Sequence, residues 1–165
     1  MRDKYEMQLR KLHAEMIEMG TMIEQAIETA IKALVAQDTE LAKKAIEADD
    51  AIDHQEREIE NLCLKLFLTQ QPVAGDMRNI SAALKMITDM ERIGDHASDI
   101  SELTLRMAGT PYIKKLEHIQ QMAKETIVML VSSIEAYVNA DEKKAKSMTM
   151  SSMIFLTRSR MNSSQ

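Results

Sequence analysis

The sequence predicts an all-α protein, and three observations carry that expectation. Aromatic residues make up only 3% of the chain, with no Trp, while Met occurs 15 times. The core must therefore be built from Leu, Ile, Ala and Met, which suits close-packed helices better than strands of β-branched and aromatic residues. Four Gly and two Pro leave few places to turn, so the elements must be long. Apolar residues also recur at spacings of three and four, the period of a helix with one buried face.

The first helix is expected from about Asp3 to Ala36, with Leu9, Leu12, Met16, Met19, Ile23, Ala26, Ile27, Ala30 and Leu34 on its apolar stripe. Gly20 interrupts this helix without ending it, because a lone Gly costs only about 1 kcal/mol there. Asp38-Thr39 then offers N-cap chemistry for a second helix, Leu41 to Thr69, marked by Ala42, Ala45, Ile52, Ile59, Leu62 and Leu66. Gln71-Pro72 stops it, since the residue before a proline is pushed out of helical geometry. A third helix follows from about Val73 to Met107 and ends at Gly109-Thr110-Pro111. A fourth covers about Lys115 to Asn139. Three long helices joined by short turns must pack antiparallel.

A loose internal repeat adds to this order. Ile31 to Asp38 is echoed by Ile134 to Asp141, each an amphipathic helix end closed by Asp and followed by an acidic, Lys- and Ala-rich helix start. The chain thus reads as a complete antiparallel three-helix bundle over 1–108 and an incomplete second copy over 112–146.

Composition narrows the function. A net charge of −5, with Lys and Arg spread along the chain, argues against a nucleic-acid binder. No stretch approaches the roughly 18 uninterrupted apolar residues of a membrane span. The N-terminal residues lack the apolar region of a secretory signal. Cys63 is alone, so no disulfide framework exists and a reducing compartment is expected. Between Leu62 and Leu64 it reads as a small apolar filler.

The charged residues are more informative. Asp49, Asp53, Glu56 and Glu60 lie at offsets of zero, four, seven and eleven on the second helix. Glu91, Asp95, Asp99 and Glu102 lie at zero, four, eight and eleven on the third. Each set falls along one helical face. Like charges at i, i+4 destabilise a helix by a few tenths of a kcal/mol per pair, so two such stripes on adjacent helices call for something positive between them. Carboxylate oxygens from facing helices are what hard cations and iron prefer. The alternative is a pair of solvated acidic faces balanced by Arg57, Arg92 and Lys43. His54 and His96 stand beside Asp53 and Asp95, but sequence neighbours on a helix point about 100° apart and need not share a site.

The stretch Gln70-Gln71-Pro72-Val73-Ala74, Asp76-Met77-Arg78 and Asp89-Met90-Glu91-Arg92-Ile93-Gly94-Asp95-His96 resembles the PhoU family of bacterial phosphate-uptake regulators. Met19-Gly20 and Asp49-Asp50-Ala51-Ile52-Asp53 extend the likeness, which covers about Tyr5 to Ala140. The resemblance implies two three-helix bundles in tandem, each with E/D-x-x-x-D motifs able to hold a metal cluster, often iron. Asp49, Asp53, Glu91 and Asp95 match those motifs position by position and are the implied metal ligands. Beside them, Gly94 would let a neighbouring helix approach closely. The resemblance further implies a cytoplasmic homo-oligomer, a homodimer in the simplest case, acting beside the phosphate ABC transporter ATPase and a phosphate-sensing histidine kinase. It would restrain the phosphate-starvation response, touching the membrane only through these partners. No enzymatic activity is implied, and neither a Gly-rich phosphate loop nor a nucleophile elbow occurs in the chain.

Residues 147–165 depart from the family pattern. The family's fifth and sixth helices should repeat the acidic motifs, whereas the chain reads KSMTMSSMIFLTRSRMNSSQ from Lys146 and carries no amphipathic period. Met has one codon, so a shifted frame gives Asp across Met148-Thr149, Asp across Met153-Ile154 and Glu across Met161-Asn162. The expectation is a frameshifted tail, poorly ordered, on a chain with the first site and without the second. The apolar face of the fourth helix, with Ile127, Leu130, Val131 and Ile134, would then lack partners. Three other readings compete. A ferritin-like bundle would need Glu-x-x-His pairs, and the chain has none. A structural helical dimerisation module would leave the acids solvated. A non-functional remnant would carry neither role.

Overall fold

A computed structural model describes residues 2–69, 72 and 74–139. They form four helices, α1 (Arg2–Ala36), α2 (Thr39–Thr69), α3 (Ala74–Met107) and α4 (Glu117–Val138). The expected Gln71-Pro72 stop lies outside the described residues except for Pro72, as do the end of the second repeat and the whole of the 147–165 tail.

The links between helices follow from local chemistry. Gln37 takes a left-handed φ of 51°, and Asp38 N donates to Ala33 O at 2.9 Å, which closes α1 with a 6→1 bond. Asp38 then caps α2. Its Oδ1 accepts from Glu40 N at 3.0 Å and Leu41 N at 3.1 Å, so two of the orphan amides at the helix start are satisfied. At the far end of α3, Gly109 has φ 82° and Thr110 N donates to Met107 O. A residue with a Cβ would be strained there.

Helices α1, α2 and α3 pack on one another as an antiparallel bundle. Leu12, Met16, Met19 and Ile23 of α1, Ile52, Ile59 and Leu66 of α2, and Ile80, Ile87 and Met90 of α3 are almost wholly buried. Together they form one continuous apolar core. Cys63 is buried among them, and burial pushes its thiol up to about 11, as suits an apolar filler.

Helix α4 runs antiparallel along α1, its principal neighbour. Here the structure corrects the expected orphaned face. Leu130 and Ile134 are buried, at 0% and 5% exposure, because α1 itself covers them. Ile134 seats over Gly20, where even a methyl group would collide with its Cδ1. Ile127 packs at the edge of the core, while Val128 is exposed. Toward its N-terminal end α4 leaves an apolar cavity of about 220 Å³ against α1 and α3, lined in part by Ile31, Leu34, Ile100, Leu103, Tyr112 and Ile119. Among the described residues no helix is long and apolar enough to cross a membrane.

Candidate metal centre

The acidic stripes of α2 and α3 face each other. Spacing of four residues sets Asp49 above Asp53 on α2 and Glu91 above Asp95 on α3, and the register between the helices brings the pairs together. Gly94 makes this possible. A Cβ built on it would stand 3.3 Å from Ile52 Cγ2, so the missing side chain lets α3 close on α2 at the level of the acids.

Two groups of three carboxylates result, each with oxygens within 4.8 Å of one another. One is Asp49, Asp53 and Asp95; the other is Asp53, Glu56 and Glu91. Asp49, Asp53, Glu91 and Asp95 each fall in at least one of these groups, and Asp53 belongs to both. Glu56 was visible as a member of the acidic stripe but not as a ligand. The signal that would have found it is the i, i+3 step from Asp53, which keeps it on the same face.

The electrostatics mark the cost of this arrangement. Glu91 is raised to about 8 by burial, by its hydrogen bond with Asp95, and by the charges of Asp95, Glu56 and Asp53. Asp49 is raised to about 6 by burial, followed by the charges of Asp95 and Asp53. Burial also raises Glu56, with Asp53, Glu60 and Asp95 adding to it and Arg57 working against it. Carboxylates this close cannot all ionise without a compensating charge.

The histidines lie outside both groups. His54 is exposed, with Nε2 4.0 Å from Glu58. His96 faces the apolar cavity, and its Nδ1 is 3.8 Å from Asp99. Lys43 pairs with Glu40 on the surface at 3.2 Å rather than with the acidic stripe.

An all-oxygen donor set suits a hard divalent cation or iron. One atom tests the fit. Asp49 Oδ1 is enclosed and accepts no hydrogen bond from any described residue. An acceptor buried without a donor is expensive, and a cation between the helices would satisfy it while cancelling the mutual repulsion. These residues have the donor chemistry to hold a metal ion.

Fold and site together define a class: a helical bundle that presents paired carboxylates across a helix–helix seam, with its functional groups on rigid elements rather than loops. Comparison with known proteins gives the class a name. The PhoU domain model matches residues 16–104, more than half the chain, and the chain belongs to the PhoU family. It is 39% identical over 142 residues to the phosphate-specific transport system accessory protein PhoU homolog of Clostridium acetobutylicum, covering 86% of this chain and 65% of that one. With the Aquifex aeolicus homolog it shares 34% over 139 residues, 84% of this chain and 63% of that one. With PhoU of Escherichia coli it shares 30% over 142 residues, 86% and 59%. The crystal structure of PhoU from Pseudomonas aeruginosa superposes with a TM-score of 0.80 at 26% identity, covering 87% of this chain and 69% of that one. The chain spans about three-fifths of the length of these curated relatives.

Proposed function

We propose that this chain is a regulatory accessory protein of phosphate transport that holds a metal cluster in the seam between α2 and α3. The observation that carries this reading is the pair of carboxylate groups sharing Asp53, set in a chain of the PhoU family. When bound, the metal would supply the positive charge that offsets the repulsion among these carboxylates. Asp49, Asp53, Glu56, Glu91 and Asp95 would hold it, with iron or another divalent cation as the occupant. Its role is to lock the register of α2 against α3, so that the outer surface of the bundle has one defined shape for a partner to read.

On this reading the chain restrains phosphate uptake and the phosphate-starvation response when phosphate is plentiful. It acts in the cytoplasm, as a homodimer or higher homo-oligomer, beside the phosphate ABC transporter ATPase and a phosphate-sensing histidine kinase. The relatives' names speak of a transport-system accessory protein, which supports this role. The protein has no catalytic task of its own.

Two measurements test the proposal. Elemental analysis of the purified chain should find at least one iron or other divalent metal ion per chain, lost when Asp53 is replaced by Asn. Expression in a bacterium lacking its own PhoU should lower a phosphate-starvation reporter in phosphate-rich medium. A metal-free protein that still silences the reporter would overturn the cluster and leave the regulatory role. A metal-loaded protein that leaves the reporter unchanged would overturn the role. Failure of both would leave a helical dimerisation module.

A further inference from the structure

Helix α4 is fastened to the bundle near both of its ends. Before it begins, the Tyr112 hydroxyl donates to Leu34 O, and Gln37 Nε2 donates to Thr110 O at 2.6 Å. Near its C-terminus the Tyr137 hydroxyl donates to the Asn79 carbonyl of α3 at 3.0 Å. Over this second fastening stands His13 of α1, edge-on to the Tyr137 ring, with centroids 5.2 Å apart and planes at 83°. His13 Nε2 is enclosed and has no hydrogen-bond partner among the described residues. A buried ring nitrogen left unpaired is uncommon and needs a reason.

We propose that His13 is an acid-operated latch on α4: a proton taken up by this half-buried imidazole, whose Nε2 is enclosed, loosens the C-terminal half of α4 from α1 and α3. The neutral ring has a single N–H to place, whereas the charged ring has two and a full charge that a half-buried site solvates less well than water does. Tyr137 of α4 stands against His13, and the titratable groups that act on Tyr137 are Cys63 of α2 and Tyr5 of α1. Burial raises both the Cys63 thiol, to about 11, and the Tyr137 hydroxyl, so neither offers a counter-charge at neutral or acid pH. From α3 comes the Asn79 carbonyl, which already accepts from Tyr137. Burial lowers the His13 pKa from 6.5.

The sign follows from linkage. A histidine whose pKa is lowered in the docked state keeps α4 fully docked above 6.5, and docking weakens as pH falls through 6.5 toward the docked-state value. Each unit of lowering corresponds to up to about tenfold in the ratio of open to docked forms.

Hydrogen exchange on the full chain, corrected for intrinsic rates, reads this directly. Between about pH 7.5 and 5, amides of residues 127–138 should themselves open at least about threefold more often. The carboxylates of α2 and α3 titrate in the same range, but their protonation relieves repulsion and tightens their own helices, so it does not produce an opening of α4. In His13→Phe, which keeps a ring against Tyr137 and cannot titrate, the acid response of 127–138 should vanish. An equal response in His13→Phe would overturn the latch. So would an NMR titration of the His13 ring in the unaltered chain that gave an ordinary pKa, a test that needs no variant to fold.

Discussion

Gly94 of α3 lies against Ile52 of α2, so close that a Cβ on Gly94 would stand 3.3 Å from Ile52 Cγ2 and 3.4 Å from its Cδ1. This contact sits between the carboxylates that flank it in sequence, Asp49 and Asp53 on one helix, Glu91 and Asp95 on the other. The separation of the two acidic stripes is therefore set by an apolar contact.

Gly94→Val should push α2 away from α3 and cost about 1–3 kcal/mol by overpacking. Gly94→Ala should be close to neutral. It asks Ile52 to give by a few tenths of an ångström, and it gains about 1 kcal/mol of helix propensity. Urea denaturation of the two variants checks the contrast.

Asp53 is common to both carboxylate groups. Asp53→Asn should therefore reduce metal affinity more than Asp49→Asn or Glu56→Gln, each of which spares one group. The difference should be at least about tenfold, or ~1.4 kcal/mol. Competition against a chelator of known affinity measures it.

The metal-free protein should be more stable in mild acid than in mild base. Glu91 is raised from 4.5 to about 8 in the fold, so the folded state holds a proton that the unfolded chain releases. That contribution is complete below 4.5 and is lost as pH rises through about 8. Glu91 is only partly buried, so screening reduces the effect to about 1 kcal/mol, or roughly 2–4 °C in Tm. Glu91→Gln should flatten the profile in a calorimetric scan at several pH values.

Tyr112 ties the approach to α4 to the C-terminal turn of α1. Tyr112→Phe should cost about 0.5–1.5 kcal/mol, the net worth of one hydrogen bond. The loss should appear locally, as faster hydrogen exchange over residues 117–126 with α2 unchanged.

The helix ends were legible because their chemistry is local. Asp38 announces a cap, and Gly109 a stop, through interactions within a few residues. The pairs Asp49–Asp53 and Glu91–Asp95 were legible for the same reason, since a spacing of four fixes a face without reference to the rest of the fold. Glu56 was harder. Its place in the second group depends on the register of α2 against α3, which periodicity along one helix does not determine. The burial of Leu130 and Ile134 was misjudged on similar grounds. Their amphipathic stripe showed that α4 needs a partner, but Gly20 as the notch that receives Ile134 appears only once α4 lies on α1. Gln37 to Thr110 and Tyr137 to Asn79 are long-range bonds with no trace in local pattern.

The seat of Ile134 over Gly20 joins residues 114 positions apart in the chain. Contacts of α1 with α2 and of α2 with α3 join helices that are neighbours in the chain and close shorter loops. Contacts across long separations form late, because chain entropy must be lost before they return anything. The three-helix bundle should therefore assemble first, while the chain is still emerging from the ribosome, with the notch at Gly20 open until α4 arrives. Folding order is thus written into the geometry of a single glycine and the isoleucine that fills it.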